Sequence, residues 1–508
     1  MHSPSNLGEK FDYIVNLYSE KIAIYYPEEN LQFSYSELNK ISNACCGFLN
    51  YKKVKKDSVV AIFNDKSIYG YSIIIACLKL GIPYVNLDET SPSSRLEKII
   101  DIISPKLIIN LFEIEAVDKS FRKKLDQLFI HKDEFTNYLN HTNYVIKKNK
   151  VISTNPAYIM FTSGSTGFPK GVTISHGNIL NFISWCKDEF QITYSDRITN
   201  LNPLFFDNSV FDIYNSLFNG ACLIPFNKEQ TKNPMRLVYL LEKGMASVYF
   251  SVPSLLIYLI SMKTIKDDSL KSLKKVIFGG EGFPKNKLKI LYDIFGNRAD
   301  LFNVYGPTEC TCICSSHKIV KDDFSNMSSL TTLGKLAPMF DFQIINKKND
   351  IGELVLYGDN VGKGYFNNFQ KTKEVFIQNP KHNNFIDIGY KTGDLVKLGK
   401  NSNFYFKGRK DYQIKYLGYR IELGEIEAIA NLIKEVCEAA VVFQKTRFSD
   451  GQIVLYVSLL DQMDSIFIRN FLKKNLPDYM IPKKIIQLKE LPKNANGKID
   501  RKQLINLK

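Results

Sequence analysis

The chain has 508 residues, 44% of them hydrophobic, which is enough for several domains with substantial cores. Its formal charge of +15 comes from lysines spread along the whole sequence, with no arginine-rich tract or nucleic-acid module, so a solvated surface is expected and no nucleic acid. No run of 18 apolar residues suits a membrane span, no export signal follows Met1, and nine cysteines fit reduced thiols in a cytoplasmic enzyme.

Along the chain, apolar runs alternate with helical patterns. Residues 59–63 read as a buried strand and 69–80 as the helix after it; 107–109, 157–161, 247–250 and 275–278 are further strands. This alternation predicts an α/β architecture. From Gly352 onward the texture shifts to short strands with frequent Gly and Asn, a β-rich subdomain. Beyond a boundary near Asp411, helices over 422–433 and 465–475 and strands over 439–443 and 453–459 predict a compact α+β lid. The chain thus divides into 1–410 and 411–508.

One stretch dominates the chemistry. Thr162-Ser163-Gly164-Ser165-Thr166-Gly167 with Lys170 gathers hydroxyls, glycines and a cation between two apolar strands. Glycines bring backbone N–H groups close to an anion, so the loop reads as a phosphate grip. Its spacing is not that of a P-loop, because Pro169 stands five residues after Gly164, where the second glycine belongs. It is not a dinucleotide fingerprint either, and Ser163 breaks a hydrolase elbow.

Four other stretches resist a purely structural reading. Asn303-Val304-Tyr305-Gly306-Pro307-Thr308-Glu309 offers an aromatic ring, a hydroxyl and a carboxylate fit for Mg²⁺. Asp394 in Tyr390-Lys391-Thr392-Gly393-Asp394 suits a pair of ribose hydroxyls. Gly408-Arg409-Lys410-Asp411 supplies a guanidinium, and Asn496-Gly497-Lys498 puts a lysine on a turn. Cys310, Cys312 and Cys314 would share one face of a strand, without the gaps of a zinc site. His176 reads as a loop histidine.

Together these motifs resemble the adenylate-forming superfamily, in particular amino acid adenylation enzymes such as carrier protein ligases and nonribosomal peptide synthetase adenylation domains. Leu78-Lys79-Leu80-Gly81-Ile82-Pro83-Tyr84-Val85, Gly352-Glu353-Leu354, Gly362-Lys363-Gly364-Tyr365, the run 408–425 and Leu476-Pro477-Asp478-Tyr479-Met480-Ile481-Pro482 extend the resemblance nearly end to end. It implies a large N-terminal domain of two α/β sheets plus a β-barrel-like subdomain, and a small mobile C-terminal domain.

The same resemblance implies the chemistry. ATP, with Mg²⁺ on Glu309, would be attacked by an amino acid carboxylate, and a phosphopantetheinylated carrier protein acting in trans would take the acyl group. Thr162, Ser163, Gly164, Ser165, Thr166, Gly167 and Lys170 would hold phosphates; Thr308 would sit at the α-phosphate. Gly280, Glu281, Gly282, Asn303, Tyr305 and Gly306 would line the adenine, and Asp394 and Arg409 would hold the ribose. Lys498 would bridge substrate carboxylate and α-phosphate, Asp411 would be the hinge, and Gly418 would line a pantetheine tunnel. Asp207 would pair with the substrate ammonium, which argues against an acyl-coenzyme A synthetase. Asn208, Phe211, Ser254, Ile277, Gly279, Val304, Cys312 and Ile313 would surround a small to medium apolar side chain. D-alanine–carrier protein ligases have a cysteine where Gly279 stands here, so a larger side chain than that of D-alanine is expected to fit.

Overall fold

The computed structural model describes residues 4–113, 117–141, 150–164, 168–327, 329–444, 451–460, 463–494 and 499–507. Two predominantly parallel sheets carry the large N-terminal part. One has six strands in the order Phe129–His131, Leu107–Asn110, Val60–Phe63, Tyr84–Leu87, Pro156–Thr162 and Lys170–Ser175, the last antiparallel to its neighbour. The other has nine strands, with Asp300–Tyr305, Lys275–Gly279, Val248–Ser251, Arg197–Asn200 and Cys222–Pro225 running parallel through its middle. These strands are almost continuously apolar because helices cover both faces; Val60–Phe63, for example, is wholly buried. The predicted strands over 59–63, 107–109, 157–161, 247–250 and 275–278 are all present, shifted by a residue or two at their ends.

The helix Ile68–Leu80 starts where Ser67 accepts a hydrogen bond from the Gly70 N–H. It stops at Gly81, whose φ of 68° ends it in the left-handed region. His176 is the first residue of the helix His176–Glu189 and not a loop residue. The Ser175 side chain caps that helix, which draws the histidine inward, where its Nδ1 accepts from the Leu7 N–H.

The β-rich region is an antiparallel sheet in which Ile388–Leu398 pairs with Ile351–Gly358, Phe376–Gln378 and Phe404–Arg409, and Phe340–Lys348 pairs with Ile351–Gly358. After it come a two-stranded hairpin, Gln413–Tyr416 with Tyr419–Glu422, and a three-stranded sheet, Val436–Gln444, Gln452–Leu459 and Lys484–Leu488. The helices Leu423–Ala430 and Ser465–Asn475 cover this last sheet with a separate apolar cluster of their own. Cys310, Cys312 and Cys314 do not share a strand as expected. Thr311 and Cys312 both adopt positive φ (60° and 73°), which breaks the extended path between a short 3₁₀ turn and the strand Ser315–Lys318. All nine cysteines are free thiols; eight are buried and Cys437 is exposed. No helix among the described residues is long and apolar enough to cross a membrane.

Candidate active site

The C-terminal ends of the parallel strands from both sheets meet at one crevice, the usual place for a site in an open α/β sheet. The strand Pro156–Thr162 delivers Ser163 and Gly164, Lys275–Gly279 delivers Gly280 and Glu281, and Asp300–Tyr305 delivers Gly306, Thr308 and Glu309. A cavity of about 80 Å³ lies between them, walled by Asp207, Asn208, Phe250, Gly279, Val304, Cys312 and Ile313, with Tyr305, Thr308, Asp394 and Arg409 at one end. A second cavity of about 400 Å³ adjoins it and is bounded by Gly280, Glu281, Gly282, Asn303, Tyr305, Asp394 and Arg409.

Most of the residues singled out from sequence therefore converge. Phe211, Ser254 and Ile277 lie outside the cavity lining. Phe211 packs behind Phe250 with ring centres 4.9 Å apart, Ile277 is fully buried within its strand, and the Ser254 N–H donates to Glu281. Ser165, Thr166, Gly167 and Lys498 lie outside the described residues. Gly279 does not leave open room. A Cβ there would come within 2.5 Å of the Val304 carbonyl oxygen and 2.6 Å of its Cγ2, so Val304 already fills the space.

Asp207 opens the helix Asn208–Leu217, yet it does not cap it. Its carboxylate instead accepts from the Thr308 hydroxyl at 2.6 Å. Loss of solvent raises its pKa, opposed by that hydrogen bond and by the charges of Lys415 and Arg420. Asp394 is held on both oxygens, by Arg409 at 2.7 Å and by the Tyr305 hydroxyl at 2.5 Å. Each carboxylate oxygen can accept a second donor, so ribose hydroxyls would still find acceptors. Arg409 also grips Asp411 through Nε and Nη2, which ties Asp411 to Asp394 through one guanidinium.

Glu309 has no exposure at all. Burial alone would push its pKa up, but Arg420 and Lys170 hold the carboxyl ionised, at about 2. A single carboxylate completed by phosphate oxygens is a donor set that suits Mg²⁺. Here both Glu309 oxygens are taken, one by Arg420 at 2.6 Å and one by the Tyr365 hydroxyl at 2.8 Å. A magnesium ion at Glu309 would share the carboxylate with Arg420 and Tyr365, its charge set against that of the guanidinium.

Sequence reasoning did not assign the charged groups of the hairpin Gln413–Tyr416 and Tyr419–Glu422, which enters the crevice. Gly418 at its tip has φ +81° and donates its N–H to Glu281 at 2.5 Å, with Val252 3.0 Å from the position of any Cβ. Lys415, exposed to solvent at the crevice, lies 5.6 Å over the Tyr305 ring; partial desolvation there lowers its pKa against the pull of Asp394 and Asp207. Tyr419 stacks on Tyr479 at 3.7 Å, and Arg95 pairs with Glu425 at 2.5 Å. The run 408–425 was visible as a motif. The partners of its charges, more than 100 residues away in sequence for Arg420, were not.

Residues 11–366 match the family described as AMP-binding enzyme, and residues 425–498 match the AMP-binding enzyme C-terminal domain. The chain is 32% identical over 487 residues to bacitracin synthase 1 of Bacillus licheniformis, a match that covers 93% of this chain but 9% of that protein. It is 31% identical over 503 residues to the D-alanine–D-alanyl carrier protein ligase of Listeria monocytogenes, covering 94% of this chain and 95% of the ligase. In structure it resembles the Vibrio cholerae adenylation domain AlmE in complex with glycyl-adenosine-5′-phosphate, with a TM-score of 0.82 at 23% identity, covering 99% of this chain and 98% of that one.

Proposed function

The chain belongs to the AMP-binding enzyme family, and from that premise we propose that it activates an amino acid as its adenylate and passes it to a carrier protein. As a member it is an adenylate-forming, ATP-dependent ligase that yields AMP. The proposed first step joins a carboxylate oxygen of the amino acid to the α-phosphorus of ATP and expels pyrophosphate. In the second, the thiolate sulfur of a carrier's phosphopantetheine attacks the acyl carbon and AMP leaves.

The observation that carries the amino acid reading is Asp207. It is an aspartate in the cavity wall, its hydrogen-bonding partner is a neutral hydroxyl, and it stands one residue's reach from Glu309 through Thr308. A carboxylate so placed is satisfied by an incoming ammonium group. The cavity of about 80 Å³, roughly five to eight water-sized spaces, suits a small, largely apolar amino acid. With Val304 filling the space beside Gly279, a D-alanine-sized substrate is favoured over the larger one expected from the glycine alone.

In this reading Lys170 and the Ser163–Gly164 backbone hold the outer phosphates, Thr308 donates toward the α-phosphate, and Asp394 with Arg409 holds the ribose. Magnesium bound at Glu309 would supply positive charge to the phosphates. Lys498 is assigned to the substrate carboxylate, residues 411–508 to a domain that moves about Asp411, and Gly418 to the passage of the pantetheine arm. A separate carrier is supported by the 31% identity to an enzyme named as a D-alanine–D-alanyl carrier protein ligase, and nine free thiols suit a reducing, cytoplasmic compartment.

ATP–pyrophosphate exchange with the L- and D-amino acids tests the reading. Exchange with a small amino acid is expected; exchange only with fatty or aryl acids would overturn it. Lys498→Ala is expected to abolish exchange while transfer from preformed adenylate to the carrier persists, and an equal loss of both would remove Lys498 from its assigned role.

A further inference from the structure

We propose that the Lys66 ammonium fills a monovalent-cation site built from backbone carbonyls, and that from there Lys66 positions the walls of the amino acid cavity. The second half rests on the reading of that cavity as the amino acid site. Lys66 lies just past the strand Val60–Phe63 of the six-stranded sheet, and its side chain crosses to the nine-stranded one. Its Nζ donates to the carbonyls of Asn200 at 2.8 Å, Phe226 at 2.8 Å and Leu201 at 3.4 Å. Those oxygens stand at or just past the C-terminal ends of the adjoining strands Arg197–Asn200 and Cys222–Pro225. Three acceptors meet three N–H donors, the complement of an ammonium; a neutral amine would turn a lone pair on one of them. The Lys66 backbone is pinned as well. Its N–H donates to Asn64 Oδ1 at 3.0 Å, and its carbonyl accepts from the Tyr26 hydroxyl at 2.9 Å.

The counter-charge is Asp212, which has no exposure. Its Oδ2 accepts from the side-chain amides of Asn200 at 2.8 Å and Asn202 at 3.0 Å, while Oδ1 is buried without a hydrogen-bonding partner among the described residues. A buried carboxylate served on one side only is costly unless a cation balances it. Lys66 does so through Asn200, whose carbonyl it holds and whose amide Asp212 holds. Loss of solvent lowers the pKa of Lys66 and raises that of Asp212, and each charge opposes the shift of the other. The network ends at the cavity. Asn202 also donates to the Phe250 carbonyl at 3.2 Å. Phe250 is one wall, and Asp207 and Asn208, which open the helix carrying Asp212, are another. Ammonium and K⁺ are alike in charge and close in size, and rings of carbonyl oxygens hold K⁺. Lys66 is thus a tethered form of a cation that such a pocket would otherwise take from solution.

The test uses the full chain carrying Lys66→Ala, which opens the pocket to solvent because Lys66 is only half-buried. The variant and the wild type are refolded from urea in tetramethylammonium, sodium, potassium or methylammonium chloride at equal ionic strength. Yield of native protein and Tm are read in each salt. Potassium and methylammonium are expected to raise both for the variant and neither for the wild type, because a cation bound to the native state stabilises it. A variant that fails to fold unaided is still read by its refolding yield. Lys66→Met keeps the length and removes the charge. It is expected to raise the KM for the amino acid in pyrophosphate exchange about tenfold, with the KM for ATP unchanged and no response to the salts. A loss of stability alone would not separate the two KM values. Equal yields and Tm for Lys66→Ala in the four salts overturn the cation site, and an unaltered amino acid KM in Lys66→Met overturns the positioning role. Wild-type exchange with no amino acid overturns the function proposed above and the positioning role with it, while the salt series still decides the cation site.

Discussion

Asp207 has a hydroxyl where its proposed substrate would bring a positive charge. Asp207→Asn keeps the shape and the hydrogen bond to Thr308 but removes that charge. An ion pair lost from a buried site costs about 3–5 kcal/mol, so the KM for the amino acid in pyrophosphate exchange is expected to rise at least about a hundredfold. The KM for ATP should move little. His176 gives a second residue-level expectation. Burial lowers its pKa from 6.5 to about 4. Between those values the unfolded chain binds a proton that the native one excludes, so stability falls as pH drops through that window. The loss amounts to about 3 kcal/mol, and His176→Gln should flatten the slope in denaturant titrations at pH 4 to 7. That Glu309, Asp394 and Arg409 belong to one crevice was legible from their short motifs. Lys415, Arg420 and Glu425 were not, because a charge on a hairpin declares its use only when its partners on other elements are known.

The hairpin Gln413–Tyr416 and Tyr419–Glu422 is the element on which the proposed two-step cycle turns. Its tip works because Gly418 combines a left-handed backbone with a close approach to Val252. An alanine would meet Val252 Cγ1 at 3.0 Å and would carry about 1–2 kcal/mol of backbone strain. Gly418→Ala is therefore expected to slow acyl transfer to the carrier roughly tenfold or more while leaving pyrophosphate exchange near wild type, which single-turnover assays of the two half-reactions would resolve. Element types were readable from periodicity, as the buried parallel strands illustrate. Local backbone events were not. Nothing in the composition of 310–314 announces that Thr311 and Cys312 take positive φ, and that turn folds the three cysteines into the core beneath the site.

At the scale of the whole molecule, the net charge of +15 sits mostly on dispersed lysines, while within the crevice Arg409 is paired with Asp394 and Arg420 with Glu309. Its consequence is long-range attraction for an acidic partner. Acceptance by a negatively charged carrier should show kcat/KM falling steeply as ionic strength rises from about 0.05 to 0.5 M, the range over which screening sets in. Pyrophosphate exchange, confined to the crevice, should change far less. The division into a large α/β part and a small C-terminal part was readable from the change in texture after Gly352 and from the helix–strand order after Asp411. The docking of the small part onto the phosphate loop was not, since it depends on contacts made across the full fold. The distribution of thiols also sets a practical opportunity. Eight of the nine cysteines are sequestered and the ninth, Cys437, is exposed on the edge of the C-terminal sheet. A maleimide dye would therefore mark that part alone in the unmodified protein, so that the movement about Asp411 proposed above would become an optical signal that can be timed against turnover.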